Sequence, residues 1–269
     1  AVGYNAGTAI TTGSENTALG ESALAANTTA SYNTAVGHTA LAVNTEGSAN
    51  TAVGRDALDA NTTGSNNTAV GYDALDGNTT ASGNTAVGHS ALKNNTTGAS
   101  NVAVGLDALK ANTTASGNVA VGFEAGKIIS DGAGILAIGY RAYDNADNEQ
   151  HNLAIGYEAL RGAVAGGEYN VAIGNYSLNV LTSADKCVAV GYQAGSAITT
   201  GGANTLVGNE TGKSITTGTF NTFVGFEAGD NFDAESNNLG IGASALGGAI
   251  AGGEFNVAVG NNALDALTS

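Results

Sequence analysis

The hydrophobic and polar positions of this chain repeat about every 17 residues from one end of the sequence to the other. At one position of the repeat, a glycine that follows Val, Ile or Leu occurs 16 times, and 13 of the 15 intervals between these glycines are 17 residues long, while the other two are 18. Asn lies four residues before the glycine in 13 of 15 cases, with Ile135 and Cys187 as the exceptions. The consensus is Asn-Thr-Ala-Val-Gly-x-x-Ala-Leu-x-x-Asn-Thr-Thr-x-x-x. A fixed period of this length predicts a solenoid with one coil per repeat.

The composition of the repeat favours strands over helices. A 17-residue unit is too short for two helices and their turns, and Gly-x-x-Ala-Leu is too short to persist as a helix by itself. Asn-Thr-Ala-Val-Gly carries β-branched residues and ends in glycine, which is typical of a strand that enters a turn. Asn-Thr-Thr is either a second short strand or a turn. We therefore predict an all-β protein, a parallel β-solenoid (β-roll) of about 16 coils stacked at about 4.8 Å each.

Two regions differ in regularity, and a longer period lies over the second one. Residues 1–130 hold regular 17-residue repeats, and residues 131–269 continue with more divergent coils. Within the second region, residues 139–182 resemble residues 225–268, an offset of 86 residues or five coils plus one residue. This super-repeat indicates growth of the chain by duplication.

The absence of proline throughout fits a continuous backbone hydrogen-bond ladder between coils. Asparagines that stack in successive coils predict a further ladder of side-chain hydrogen bonds.

The two faces of the predicted strand differ in size. In the unit that ends at Gly71, the small residues Asn67, Ala69 and Gly71 point to one side, while Thr68 and Val70 point to the other. The small face is expected in a narrow interior between two sheets. The second face carries an aliphatic residue in every unit. The predicted aliphatic ladder comprises Val36, Val53, Val70, Val87, Val104, Val121, Ile138, Ile155, Ile173, Val190, Val207, Val224, Ile241 and Val259.

An exposed ladder of this length predicts an oligomer. Monomeric soluble proteins rarely expose apolar patches beyond a few hundred Å². Sixteen aliphatic side chains that each bury about 50 Å² supply on the order of 15–25 kcal/mol per chain, which exceeds the whole stability of a typical domain. Parallel alignment about a long axis favours a cyclic homo-oligomer. The alternative is a thicker coil whose interior takes both faces.

Charge and cysteine content narrow the possible partners. The net charge is −15, with 8 basic and 23 acidic residues, so the chain lacks the cationic stripe that nucleic-acid binding requires. The same imbalance disfavours anionic membrane surfaces, and no uncharged apolar stretch is long enough for membrane insertion. The single cysteine, Cys187, excludes an intrachain disulfide and a zinc cluster made of cysteines.

The sequence contains no convincing catalytic constellation, and we expect no metal and no cofactor. His38 and His89 occupy the same repeat position three coils apart, roughly 14 Å by the stacking distance, which is too far for one metal ion. Asp56, Asp73 and Asp107 share one position and Asp59 and Asp76 another. Solvation of the surface is the simplest interpretation of these carboxylates, and weak binding of cations is the alternative. The Asn-Thr-Thr sequons, such as that at Asn61, are interpreted as turn chemistry.

Aromatic side chains recur directly after the repeat glycine. Rings at regular spacing are suited to stack on the sugars of a cell envelope, whereas the alternative is that they shield coil edges from solvent. As candidate ligand-binding residues we take Tyr4, Tyr72, Phe123, Tyr140, Tyr157, Tyr192 and Phe226.

The repeat resembles two known groups of proteins. Asn-Thr-Ala-Val-Gly followed by Ala-Leu and Asn-Thr-Thr-Gly is similar to the repeats of phage tail-fibre proteins and to the head repeats of trimeric autotransporter adhesins of bacteria. The resemblance covers residues 1–269. It implies a homotrimer of left-handed β-rolls on a virion or cell surface, with a role in attachment to a surface glycan or receptor. Two further hypotheses stay open, a self-assembling extracellular filament and an ice-binding solenoid.

Overall fold

The computed structural model confirms the all-β parallel solenoid. It describes residues 1–145, 148–162, 165–248 and 252–265. Fifteen strands of three residues each lie in these ranges, no described residue is helical, and Val2 adds an isolated parallel bridge to Leu19. The coil number therefore agrees closely with the sixteen glycines of the sequence.

The chain forms two compact units, Ala1–Gly134 and Ile135–Ser269. The strands of the first unit are β1 Thr17–Leu19, β2 Thr34–Val36, β3 Thr51–Val53, β4 Thr68–Val70, β5 Thr85–Val87, β6 Val102–Val104 and β7 Val119–Val121. Those of the second unit are β8 Leu136–Ile138, β9 Leu153–Ile155, β10 Val171–Ile173, β11 Val188–Val190, β12 Thr205–Val207, β13 Thr222–Val224, β14 Leu239–Ile241 and β15 Val257–Val259.

Consecutive strands within each unit pair in parallel and in register. Thr68, Ala69 and Val70 of β4 lie opposite Thr85, Ala86 and Val87 of β5, for example. The same register relates β8 to β9 in the second unit. Each repeat position therefore forms a column in which a residue lies next to its equivalent in the neighbouring coil.

Each coil contains one strand, so the expected interior between two sheets is wrong. The Asn-Thr-Thr segments are turns, although their backbones still bond from coil to coil, as in Thr62 N–H to Thr79 O at 2.8 Å. Besides the repeat glycine, three residues per regular coil have positive φ; in the coil of Gly71 these include Asp73 at 54° and Leu75 at 53°. Left-handed residues turn the chain sharply without a second strand, and the sequence gives little warning of them because leucine rarely adopts this conformation.

The repeat glycine is required by both its conformation and its contacts. Gly71 has φ of 140°, a region almost restricted to glycine. A Cβ on Gly71 would lie 2.4 Å from the carbonyl oxygen of Gly88 in the next coil. Stacked coils approach one another so closely here that no side chain fits in the column.

The asparagine that precedes most strands joins three successive coils. Asn67 is fully buried, its backbone N–H donates to Asn50 Oδ1 at 2.9 Å, and its Oδ1 accepts the backbone N–H of Asn84 at 2.9 Å. Its Nδ2 donates to the carbonyl of Ala81 at 2.9 Å. The predicted ladder is present, but each amide bonds mainly to the backbone of the next coil, which satisfies groups that would otherwise be buried without partners.

A second ladder and the leucine column share the interior. Asn61 Nδ2 donates to Asn44 Oδ1 at 2.9 Å, and Leu58 and Asn61 are both fully buried. Where the leucine position holds glycine, the position of this second asparagine holds Ile or Phe. The five such pairs are Gly7 with Ile10, Gly126 with Ile129, Gly195 with Ile198, Gly212 with Ile215 and Gly229 with Phe232.

Contacts explain this exchange of volume. A Cβ on Gly212 would lie 2.8 Å from Ile215 Cδ1, and one on Gly229 would lie 2.3 Å from the ring of Phe223. Phe223 replaces the usual alanine at the strand centre and meets Phe232 edge-on, with ring centroids 5.1 Å apart. Its partner in the next strand is Gly240. Large residues in one column are therefore accommodated by glycine in another, as close packing demands.

The super-repeat corresponds to a recurring set of contacts around the two 18-residue coils. Gly166 N–H donates to Glu149 Oε1 at 3.0 Å, and 86 residues later Gly252 N–H donates to Glu235 Oε1 at 3.1 Å. Backbone hydrogen bonds lower the pKa of Glu235 even though burial opposes this effect. Each longer coil is thus bonded to a glutamate of the coil before it.

Replacing Asn67 by Ala should lower the free energy of unfolding, because the N–H of Asn84 and the carbonyl of Ala81 lose their partner, at about 1–3 kcal/mol for each buried group. Urea titration followed by circular dichroism measures the change. Asn66→Ala is the matched control, since Asn66 is exposed and Ala49 has the same left-handed conformation at that repeat position. Equal losses in both variants would contradict the ladder's role.

Candidate functional surfaces

The first and third residues of every strand form a continuous outward surface within each unit, here called the strand face. In β4, Ala69 is buried, whereas Thr68 and Val70 retain partial exposure. The same alternation holds in the other fourteen strands. The interior of a single coil therefore takes only the central residue of the strand, so the thicker coil that would enclose both faces is not formed.

All fourteen residues of the predicted aliphatic ladder lie at the third strand position, on the strand face. Val87 is 37% exposed, Ile241 is 40% exposed and Val259 is 68% exposed, while Val70 and Ile155 are half-buried. Neighbours above and below in the column already cover part of each side chain. Covering the remaining third is worth roughly 0.5–1 kcal/mol per residue, or about 7–14 kcal/mol for fourteen. That range is below the sequence-based figure but still comparable to the stability of a whole domain.

The longest run of strands with aliphatic residues at both outward positions within one unit is in the second unit. In β8 to β11 the first strand position is aliphatic as well as the third, whereas β1 to β5 carry Thr at the first position. These four strands present Leu136, Ile138, Leu153, Ile155, Val171, Ile173, Val188 and Val190 on one side.

The residues directly after the repeat glycine, many of them aromatic, form an exposed column beside the strand face, here called the trailing edge. Every predicted ligand-binding residue lies there, with exposures from 39% for Phe123 and Tyr157 to 74% for Tyr4. The other four are Tyr72, Tyr140, Tyr192 and Phe226. His89 lies at an equivalent position and stacks on Tyr72, with 5.1 Å between the ring centroids.

Stacking within the column limits how these rings can meet a sugar. Tyr140 and Tyr157 are nearly parallel, with an interplanar angle of 7° and centroids 4.9 Å apart. The guanidinium of Arg55 lies over the ring of Tyr72, 5.6 Å from the ring centroid. Where rings cover one another's faces, a ligand can reach only their edges and hydroxyl groups, while sugar stacking needs an open face.

Two aromatic features were missed in the sequence. Tyr176, one position beyond the trailing edge, meets Tyr157 and Tyr192 edge-on, with ring centroids 5.3 Å and 6.2 Å apart.

A second exposed column, here called the leading edge, consists of the residues that directly precede the asparagine before most strands. It includes Tyr32, Tyr169, Phe220 and Phe255. The sequence carried a signal for this column, because each of these rings occurs at the same repeat position, directly before the asparagine.

Charged residues concentrate in two columns, two and five residues after the glycine. Six of the eight basic residues are there: Lys93, Lys110, Lys127, Arg141, Arg161 and Lys213. Lys110 pairs with Asp107 at 3.1 Å within one coil, and Lys127 reaches Asp107 from the next coil at 3.6 Å. The columns therefore cross-link neighbouring coils and neutralise the carboxylates that stacking brings together.

Asp59 and Asp76 occupy the repeat position that holds lysine in the three coils that follow. Burial, reinforced by the Asp56 carboxylate, raises the pKa of Asp59, and burial reinforced by Asp73 raises the pKa of Asp76. A raised carboxyl pKa means that folding disfavours the charged form, so these groups oppose folding above their folded pKa. That opposition is relieved as the pH falls through the folded pKa toward the ordinary value of 3.8.

The double substitution Asp59→Asn and Asp76→Asn should therefore raise the thermal midpoint at pH 7, and the gain should shrink toward pH 4. Thermal melts across this pH range measure it. Asp131→Asn is the control, because that carboxylate is exposed and accepts a hydrogen bond from Thr114 at 2.6 Å. A gain that stays constant with pH would show that titration is not the cause.

Other potentially reactive groups are enclosed. The sequon asparagines Asn27, Asn61, Asn78, Asn95 and Asn112 are fully buried and hydrogen-bonded, so their amide nitrogens are inaccessible in the folded chain. Cys187 replaces a ladder asparagine; its thiol is 3.4 Å from the carbonyl of Gly201, and burial raises its pKa. Within the described residues, no group of three or more His, Cys, Asp or Glu side chains is placed to hold a metal ion.

One shallow depression lies in the second unit, with a volume of about 300 Å³, between Arg161, Asn145 and Asn179. The Arg161 guanidinium lies 3.2 Å from Glu158 and 3.3 Å from the buried Asp144. The cation is therefore engaged within its own chain, and the depression offers no converging set of reactive groups.

Comparison with known proteins gives no relative. No protein-family model, curated protein or solved structure matches this chain. Among the described residues no helix is long and apolar enough to cross a membrane. The resemblance to fibre and adhesin repeats stays a prediction.

Proposed function

We propose that this chain is the non-enzymatic shaft of an extracellular fibre or surface adhesin, from a phage virion or a bacterial surface, and that it acts as a homotrimer. The observation that carries the proposal is the strand face, which leaves an aliphatic residue partly exposed in every strand of both units. A surface of this kind is rare on soluble monomers and typical of interfaces.

The regular columns favour a cyclic assembly. Each strand places its aliphatic residue at the same repeat position, so copies that run in the same direction can cover the strand face at every coil. Rotation about an axis parallel to the stacking direction closes such an assembly without leaving an open end. The number three follows from the resemblance to trimeric adhesin heads.

Attachment is assigned to the side chains that this packing leaves near the rim. Exposed rings of the trailing edge, such as Tyr192 and Phe226, lie beside the strand face rather than on it. A cell-surface glycan or protein receptor is the proposed ligand. Ring faces that are not covered by a neighbouring ring are the places where sugars would stack.

Ile155→Asp should convert the trimer into monomers, because it places three carboxylates in an apolar interface without partners. Sedimentation and native mass spectrometry measure the subunit number. Thr97→Asp is the matched control, since Thr97 is exposed in the turn after the second asparagine and lies outside the strand face. A monomeric wild-type chain would overturn the proposal, and so would a trimer that Ile155→Asp leaves intact with native circular dichroism.

A second candidate is binding to ice, favoured by a column of exposed threonines in the first unit. Thr63, Thr80, Thr97 and Thr114 occur once per coil at the same repeat position. The threonines beside them are engaged internally, as in Thr62 Oγ1 to the carbonyl of Thr79 at 3.0 Å. This turn segment therefore presents one column of exposed hydroxyl groups, whereas a flat ice-binding surface would be expected to present two.

If the chain binds ice, a thermal-hysteresis assay should show a difference between the melting and freezing temperatures of the solution. Thr80→Lys should abolish this difference, because lysine interrupts the regular column of threonines. Thr51→Lys on the strand face is the control. Absence of hysteresis in the wild-type chain would remove this candidate.

A further inference from the structure

The two edges of the strand face are complementary in size over five consecutive coils of the first unit. In these coils the trailing edge carries a large side chain and the leading edge a smaller one. The pairs, leading edge first, are Ala49 with Arg55, Asn66 with Tyr72, Gly83 with His89, Ser100 with Leu106 and Gly117 with Phe123.

The small side of this pattern is not required by the chain itself. Gly83 and Gly117 have φ of 74°, but Tyr32 has φ of 64° at the same repeat position. A Cβ on Gly117 would meet nothing within 4 Å. Neither backbone conformation nor internal packing therefore excludes larger residues from these two sites.

The large side of the pattern is uncovered in the single chain. Tyr72 is 42% exposed, Leu106 is 43% exposed and Phe123 is 39% exposed. All three follow the repeat glycine directly and so continue the aliphatic strand face at its trailing edge. An apolar surface that extends onto this edge is suited to a partner that covers both.

Cyclic symmetry determines which edge of one copy meets which edge of the next. In a ring of identical chains the contacts are heterologous, so one patch meets a different patch of the neighbour. When the rotation axis is parallel to the stacking direction, both patches belong to the same coil level. The trailing edge of each chain then meets the leading edge of its neighbour, and large side chains meet small ones.

We propose that in the assembled oligomer the trailing edge of one chain, from Arg55 to Phe123, packs against the leading edge of a second copy, from Ala49 to Gly117. This inference rests on the proposed function, since it needs an assembly of parallel chains. Elsewhere the edges follow other patterns, such as rings on both sides at Phe220 and Phe226, and the proposal concerns the five coils alone.

Disulfide trapping tests the contact directly in the double variant Ser100→Cys with Leu106→Cys. Strand Val102–Val104 lies between the two positions and holds them roughly 10 Å or more apart at about 3.3 Å per residue. This separation is beyond the roughly 7 Å limit for a disulfide, so a bond within one chain is excluded. Cys187 is buried and does not compete. Oxidation should join the copies into a closed ring, seen on a non-reducing gel as a covalent species with the subunit number of the native assembly.

The outcomes separate this contact from the oligomer itself. Each single cysteine variant is a matched control and should give no covalent ring. A native oligomer whose double variant forms no covalent species would overturn the edge contact while leaving the proposed function standing. A native monomer would overturn both.

A size exchange provides a second measurement. Gly117→Phe should weaken assembly by about tenfold or more, because a ring would then meet the neighbour's Phe123. Adding Phe123→Gly should restore it. The single chain tolerates Phe at the leading edge, as Phe220 and Phe255 show with φ of 58° and 59°. Thr97→Phe is the control, and equal weakening by this distant substitution would contradict the proposed contact.

Discussion

The structure depends on in-register hydrogen bonding between neighbouring coils. Because each strand bonds to its equivalent in the next coil, every repeat position becomes a column of near-identical neighbours at the spacing of adjacent strands. A residue type is therefore selected for contact with itself. Glycine at position 71 and its equivalents is selected because neighbouring peptides approach too closely for any side chain. Asparagine is selected because one amide satisfies the backbone of its neighbours on both sides.

The same constraint explains which parts of the structure the sequence predicts. The solenoid, its coil number and the inward direction of Ala69 follow from the period and from alternation along a strand. The turns were less predictable, because Leu75 at a positive φ contradicts the intrinsic preference of leucine and occurs only where burial and coil stacking outweigh it. The pairing of Gly229 with Phe232 was visible as a covariation between columns, but only the Phe223 contact explains it. At the surfaces, position identified the exposed rings of the trailing edge, while ring-on-ring stacking required coordinates.

The alignment of equivalent residues in columns also determines which charged side chains lie next to one another. Stacking a single acidic position would place carboxylates about one strand spacing apart, where like charges repel. The chain offsets this by alternating acidic and basic residues in two adjoining columns, so that Asp107 contacts Lys110 in its own coil and Lys127 in the next. Two coils carry Asp59 and Asp76 at the position of these lysines. Burial raises the pKa of both carboxyl groups, and repulsion from Asp56 and Asp73 adds to the effect. The excess of acidic residues thus causes repulsion between neighbouring carboxylates, and the 8 basic residues offset this repulsion only in the coils where they lie.

The interior of a coil has little room for apolar volume, and this limit links the fold to assembly. Each strand contributes one inward residue, usually alanine, and the buried asparagines occupy space that larger domains give to aliphatic side chains. The valines and isoleucines of the strand face consequently cannot be enclosed by their own chain, although covering them would release free energy comparable to a domain's stability. Copies of the same chain would gain from it at each coil simultaneously, because the columns that align one chain internally also align its surface with that of a parallel neighbour.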